Sequence, residues 1–248
     1  MQTQAASREE LLDRLREFGI SVETVDDPIL GPSTLVVRLF SEHVTARGTI
    51  RADVFEVLKQ LRHGIVSLAN TSFGDAGIAQ CLQFRRVEGL DFSRTELSGV
   101  GIEKLTTLNQ LLLLKLAGCK LTDADLAPLF RFQALKLLYL NECPITDRLA
   151  ATVLVKLTAL QALKLNKTRI SDEGLSKLVK LRDLQYLGLV DTYITDQAAP
   201  LFCQFSKLRF LDLSGTQVSR AMIRKLARCL PTCRIVYTPP THIESEKE

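Results

Sequence analysis

Histidine is scarce in this chain: His43, His63 and His242 are the only three, and none has a repeated carboxylate or cysteine beside it. No histidine-based catalytic site or zinc site is therefore expected, and nothing implies a cofactor or an enzyme. Long apolar runs are missing as well, since none approaches the ~20 residues that a membrane span needs, and the opening MQTQAASREELL has no signal-peptide core. A soluble chain without membrane contact is the expectation. Charge of one sign is also lacking: the formal net charge is +4, with basic residues spread among acidic ones and forming no stripe. Nucleic acid is not expected as a partner. Finally, the six cysteines (Cys81, Cys119, Cys143, Cys203, Cys229 and Cys233) contain no C-x-x-C pair. Free thiols in a reducing compartment, and so a cytoplasmic location, are expected.

What the chain does have is a period. A phrase of two apolar residues flanking a variable one, followed by Thr or Cys, returns seven times at a step of 24 residues, broken once by 25. The apolar pairs are Val66/Leu68, Leu90/Phe92, Leu114/Leu116, Leu138/Leu140, Leu163/Leu165, Leu187/Leu189 and Leu211/Leu213, and the Thr or Cys position reads Thr71, Thr95, Cys119, Cys143, Thr168, Thr192 and Thr216. Ile235/Tyr237 fall on the next tick. A unit this short cannot bury its own apolar face, so units must stack into an array closed by terminal caps.

Within a unit, Leu163-Lys164-Leu165 has the two-residue period of a strand, leucines inward and the residue between them outward. Stacking such strands builds a parallel sheet. Ser or Thr then stands where a helix would be capped, at Ser98, Thr122, Thr146, Ser171, Thr195 and Ser219. Aspartates at equivalent places (Asp75, Asp123, Asp147, Asp172, Asp196) suit the positive end of a helix dipole, which accounts for them without acid-base chemistry. The inward Thr or Cys is expected to satisfy buried turn amides. Gly99, Leu149 and Pro200 depart from the pattern, and short or irregular helices are expected there.

These residues resemble the leucine-rich repeat family, and more closely its 24-residue bacterial form with the phrase Thr-x-Ile-Thr/Ser-Asp-x-Gly-Leu, over residues 62 to 237. Cys119 and Cys143 at the Thr position are similar to the cysteine-containing subclass of F-box substrate adaptors, although no F-box is recognisable. The resemblance implies an α/β solenoid, curved, with the parallel sheet on its concave face and short helices on its convex face.

Residues 1–61 are read as an N-terminal cap with a degraded first repeat in TLVVRLF, 62–237 as the array, and 238–248 as a disordered tail. Ser7 to Glu10 has capping-box spacing ahead of Leu11, Leu12, Leu15 and Phe18, with Gly19 as the stop. This helix covers the first edge of the sheet or, alternatively, docks a second protein.

Function is expected in the outward row of each strand, which differs from repeat to repeat. Leu113, Leu137, Tyr139, Tyr186 and Phe210 are not needed for the inner core, so they are read as an exposed apolar patch of the kind that binds partners. Lys115 and Lys164 lie among them, with Asp91 and Asp212 toward the ends, favouring a partner with central acidic groups. The expected protein is a monomeric, non-enzymatic module that binds another protein on its concave face. The alternatives are a substrate adaptor of a ubiquitin ligase and a GTPase activator.

Overall fold

The computed structural model describes residues 7–84 and 86–240. Helix α1 (Arg8–Glu17) leads into an antiparallel hairpin of β1 (Ser21–Asp27) and β2 (Gly31–Arg38), followed by α2 (Ala52–Leu58). Three-residue strands and short helices then alternate: β3 (Ile65–Ser67), α3 (Ile78–Cys81), β4 (Gly89–Asp91), α4 (Gly99–Leu105), β5 (Leu113–Lys115), β6 (Leu137–Tyr139) and α5 (Asp147–Thr152). The array ends with β7 (Ala162–Lys164), α6 (Asp172–Leu178), β8 (Tyr186–Gly188), α7 (Ala199–Phe202), β9 (Phe210–Asp212), α8 (Arg220–Cys229) and β10 (Arg234–Val236). All ten strands form one sheet in chain order, parallel except for β1 on β2. The α/β solenoid inferred from the period is the fold observed.

Register follows the leucine ladder. Val37, Val66, Leu90, Leu114, Leu138, Leu163, Leu187 and Leu211 stand opposite one another from strand to strand, each at 0% exposure. A second row, from Leu39 through Phe92 and Leu140 to Leu213, is equally buried. Each such side chain contributes ~1.5–3 kcal/mol by leaving water. Strand β2 takes the place of a first repeat, because Val37 and Leu39 fall in the Val66 and Leu68 positions.

After each of the strands β3 to β9 the chain turns through one left-handed residue: Asn70, Arg94, Gly118, Glu142, Lys167, Asp191 or Gly215. Only two are glycines, although a side chain there costs ~1–2 kcal/mol. The turn is held because each of these residues donates its N–H to a carbonyl of the next repeat, as Glu142 does to Asn166 at 2.8 Å. Gly118 is glycine for a second reason. A Cβ there would meet the Arg94 side chain, which crosses this repeat to pair with Glu142 at 3.2 Å.

The inward Thr hydroxyls satisfy carbonyls more than the expected amides. Thr71, Thr95, Thr168, Thr192 and Thr216 each donate to the carbonyl three residues earlier in their own repeat. Cys119 and Cys143 reach back instead, each Sγ donating to the preceding repeat at 3.2 Å, on Phe92 and Leu116. Burial pushes the Cys143 thiol up to about 12 and also raises that of Cys119.

Four of the repeated aspartates (Asp75, Asp147, Asp172 and Asp196) stand in the first turn of a helix or 3-10 segment as expected, Asp123 does not, and all five have a further part. Each carboxylate accepts the backbone N–H of the next repeat's Ser or Thr: Asp75 from Ser98 at 3.0 Å, Asp123 from Thr146 at 2.9 Å, Asp147 from Ser171 at 2.8 Å, Asp172 from Thr195 at 2.9 Å and Asp196 from Ser219 at 2.7 Å. In the first four pairs the hydroxyl donates to the same carboxylate. They staple repeats together. Gly99 stands where this series would supply an aspartate for Thr122, and Asp125 compensates from within Thr122's own repeat, accepting its N–H at 2.9 Å and its hydroxyl at 2.6 Å.

Three other expectations are corrected. Gly99 opens a regular helix, although the helix at Leu149 is short as expected, six residues passing into a 3-10 turn over Leu154–Lys156, and the repeat after Thr122 forms a 3-10 segment over Ala127–Arg131, with Pro128 early in it. Thr122 therefore caps no helix. Pro200 does accompany a short helix, α7 having four residues. The cysteines are not all free: Cys203 and Cys229, at the ends of adjacent helices, are joined by a disulfide with Cα atoms 5.5 Å apart, while Cys81, Cys119, Cys143 and Cys233 remain thiols.

At the N-terminus the capping box is present, Ser7 Oγ accepting from Glu10 N and Glu10 Oε2 from Ser7 N. Buried His43 ties α1 to the array. Its Nδ1 accepts the Phe40 N–H at 2.9 Å, which leaves Nε2–H to donate to the Phe18 carbonyl at 2.7 Å. Residues 241–248, most of the expected tail, lie outside the described residues, as does His242. No described helix is long and apolar enough to cross a membrane.

Candidate partner interface on the concave face

Strand pairing lines up two outward rows. The first runs Val36, Ile65, Gly89, Leu113, Leu137, Ala162, Tyr186, Phe210, and the second Arg38, Ser67, Asp91, Lys115, Tyr139, Lys164, Gly188, Asp212. The β1–β2 hairpin reverses at Asp27, whose Oδ1 accepts the N–H groups of Ile29 and Leu30 at 2.8 Å. Its tip lies over this face. Ile29 and Leu30 pack on Val36, Ile65, Leu113, Leu137 and Ala162, which form a second apolar cluster separate from the leucine core.

The expectation that Leu113 and Leu137 are exposed is thereby corrected, since both are only 1% exposed. Apolar side chains in the first row were free to be buried by any element that could reach them, and the hairpin reaches them. Beyond the tip the face opens. Leu137, Tyr139, Lys164, Tyr186 and Phe210 line one cavity of about 350 Å³, walled on the hairpin side by Asp27, Pro28 and Ile29 and on the other by Asp212. Five of the seven expected interface residues thus converge. Lys115 stands beside them, 3.8 Å from Asp91, while Leu113 belongs to the covered cluster.

Aromatic and cationic groups alternate in this site. Tyr186 stacks on Phe210 with centroids 6.3 Å apart, and the Tyr139 ring has Lys164 Nζ at 4.5 Å and Lys115 Nζ at 5.3 Å. Each cation-π contact contributes ~0.5–2 kcal/mol, more as water is excluded. Burial, followed by the charges of Asp27 and Asp91, pushes the Tyr139 hydroxyl up to about 12, so it remains a neutral donor. Lys164 is displaced downward, first by burial and then by Lys115, with Asp212 opposing. Its ammonium has no hydrogen bond or ion pair among the described residues, in contrast to Lys115. No cluster of three or more His, Cys, Asp or Glu side chains able to hold a metal occurs among the described residues. The geometry suits binding: an aromatic wall, one cation without an ion pair among the described residues and a shaped recess.

The hairpin tip escaped the sequence reading. A signal was available, since SVETV and TLVVRLF are two strand-like runs around Asp-Pro and Gly-Pro turn residues. That signal indicates a hairpin, though not where its tip rests.

A stacked array of strand, left-handed turn and short helix with inward leucines defines a leucine-rich repeat solenoid. A leucine-rich repeat family profile matches residues 156–179, one unit of the period, which supports the repeat family. The chain is similar in structure to internalin C2 of Listeria monocytogenes, at 24% identity and a TM-score of 0.61, covering 82% of this chain and 80% of that one. A leucine-rich repeat protein of Leptospira interrogans aligns at 19% identity and TM-score 0.55, over 75% of this chain and 51% of the other. The ectodomain of the Arabidopsis receptor kinase HAESA, solved in complex with an IDA peptide hormone, aligns at 21% identity and TM-score 0.57, over 92% of this chain and 40% of that one. At these identities the likeness concerns the fold. No curated protein sequence matches significantly. The cysteine-containing subclass gains no support from these matches. Leucine-rich repeat proteins in general mediate protein–protein interaction.

Proposed function

We propose that this protein is a non-enzymatic interaction module that takes an extended segment of a partner protein on the open half of its concave face. The carrying observation is Lys164: a half-buried ammonium without a hydrogen-bond or ion-pair partner among the described residues, at a recess walled by Tyr139, Tyr186 and Phe210. An acidic side chain of the partner meets Lys164, and apolar neighbours of that residue lie on the Tyr186–Phe210 stack. The recess of about 350 Å³ holds one or two side chains, so the partner inserts a segment and does not seat a whole domain. The peptide complex of the HAESA ectodomain is a precedent for segment binding on this fold. Neither the ligase-adaptor nor the GTPase-activator alternative gains a residue from the geometry.

A pull-down with the full chain, followed by titration of the recovered partner, tests the proposal. Tyr186→Ala/Phe210→Ala should weaken binding about thirtyfold or more, as truncation of central aromatic anchors commonly does. Lys164→Ala should lower both affinity and salt sensitivity. Melting temperatures should hardly move, because these side chains point away from the leucine core. Unchanged affinity in the double variant would remove the concave face from consideration.

Location enters the proposal through the cysteines. A cytoplasmic location rests on the four free thiols, whereas a bond such as Cys203–Cys229 persists in oxidising compartments. Alkylation at cell lysis followed by mass spectrometry decides between them. Cys203 and Cys229 should stay unlabelled until reduced, half-buried Cys233 should label first, and buried Cys81, Cys119 and Cys143 should label only on denaturation. Prompt labelling of Cys203 and Cys229 without reduction would restore the cytoplasmic reading.

A further inference from the structure

We infer that the N-terminal end carries a second interaction surface, independent of the concave recess, which takes an acidic, leucine-bearing segment of another protein. A groove of about 690 Å³ runs between α1 and the turns that follow α2 and α3. Its floor is aliphatic: Leu12 and Leu82 are half-buried there, over Leu11, Leu35 and Leu61 of the core. Its rim is cationic. Arg8, Arg62 and Arg86 are exposed, and none has an ion pair or side-chain hydrogen bond among the described residues. No carboxylate lies among the lining residues, and Lys59, also on the rim, is paired with Glu56 outside the lining.

Some arginines elsewhere, though not most, are neutralised locally, as in Arg16–Asp13, Arg38–Glu23, Arg51–Asp53 and Arg131–Glu103, whereas the lining of this groove offers Arg8, Arg62 and Arg86 no carboxylate at all. Three unpaired arginines around one apolar trough therefore form a site of unmatched charge. Its complement is a segment with carboxylates along its edges and leucine-like side chains along its centre, the pattern of an amphipathic helix lying in a groove. Nucleic acid fits less well: His63 is the one aromatic ring in the lining, too few for successive bases to stack, and a phosphate chain would leave the leucines uncovered. A bilayer fits less well because the leucines form the floor of a trough and do not protrude from a face.

The test is a displayed library of random segments of about 14 residues, sorted for binding to the full chain and counter-sorted against Arg62→Glu/Arg86→Glu. Both arginines are exposed, so the double variant should melt with the parent, and circular dichroism checks this. The surviving sequences should be enriched in Asp and Glu together with Leu, Ile or Phe. Synthetic copies should bind the parent at least about tenfold more tightly than the variant, lose affinity as salt rises, and bind Tyr186→Ala/Phe210→Ala as well as the parent. Recovery of only neutral or basic segments, or of segments indifferent to the arginine changes, overturns the inference. So does a result in which phosphatidylserine vesicles or duplex DNA bind in an arginine-dependent way and no segment does. Loss of binding in the Tyr186/Phe210 variant would assign the segments to the concave recess instead.

Discussion

The two halves of the concave sheet stand on the same leucine ladder and differ in what stands in front of it. From β3 to β6 the hairpin tip covers the first outward row, and Leu113 and Leu137 are buried as deeply as core residues. At β8 and β9 the same row carries Tyr186 and Phe210, stacked and open to the recess. Position in the repeat therefore does not decide whether an outward residue is surface. Reach of an element that does not repeat decides it, and this leaves open only one half of a face that looks continuous in sequence.

The largest effect should come from the ladder that both halves share. Leu140→Asp places a carboxylate where a leucine is fully buried, losing ~1.5–3 kcal/mol of burial before the charge penalty. It should unfold the array or lower its melting temperature severely, whereas Tyr139→Asp, one residue away and on the outward row, should be mild. Thermal melts in the opposite order would mean that the strand register is displaced by one residue.

A smaller effect should separate the halves. Ile29→Asp removes an apolar contact from the hairpin tip and should cost about 1–2 kcal/mol, because the side chain is only half-buried. Hydrogen exchange at Leu113 and Leu137 should rise, with Leu187 and Leu211 in the open half unchanged. Uniform loss of protection across the sheet would contradict the tip's being a cover on one half only.

The smallest effect concerns pH. Hydrogen bonds from Thr122 and Ser219 hold the carboxyls of Asp125 and Asp196 below the usual carboxylate range. A folded-state value below the unfolded one, near ~3.9, stabilises the fold above that pH, and the stabilisation is lost as pH falls through the folded value. Melting temperature should therefore be insensitive to these groups between about pH 7 and 5 and fall below about pH 4. Because both carboxyls are largely exposed, salt should blunt the effect. Asp196→Asn should remove part of the acid dependence, and an identical acid profile would show that the repeat-linking carboxylates contribute little.

Much of this fold is legible in the sequence because each inward position is stated several times over. Val66 through Leu211 and the Thr or Cys ladder could be aligned against one another without any structure, and Ser7 and Glu10 mark the first helix by local chemistry alone. The candidate site was legible in its residues and not in its limits: five of seven converge, but Leu113 and Leu137 were misread as open. The unread features occur once. The hairpin tip, the substitution of Asp125 for the aspartate absent at Gly99, and the Cys203–Cys229 bond, whose 26-residue separation departs from the period, are single tertiary events that periodicity does not encode.

The hairpin also makes the array count. It springs from β2, yet its tip meets a recess built by strands several repeats away, so the distance between them is a fixed number of rungs, each about 4.8 Å. Duplicating one 24-residue unit between β3 and β6 would leave every leucine contact between neighbours intact and the solenoid folded. The tip would then overhang the wrong rung, with Lys164 and Tyr186 carried one step beyond it. Unlike a plain repeat array, whose length can drift by whole units at little cost, this one has an internal ruler, and the recess exists only at the length that the ruler measures.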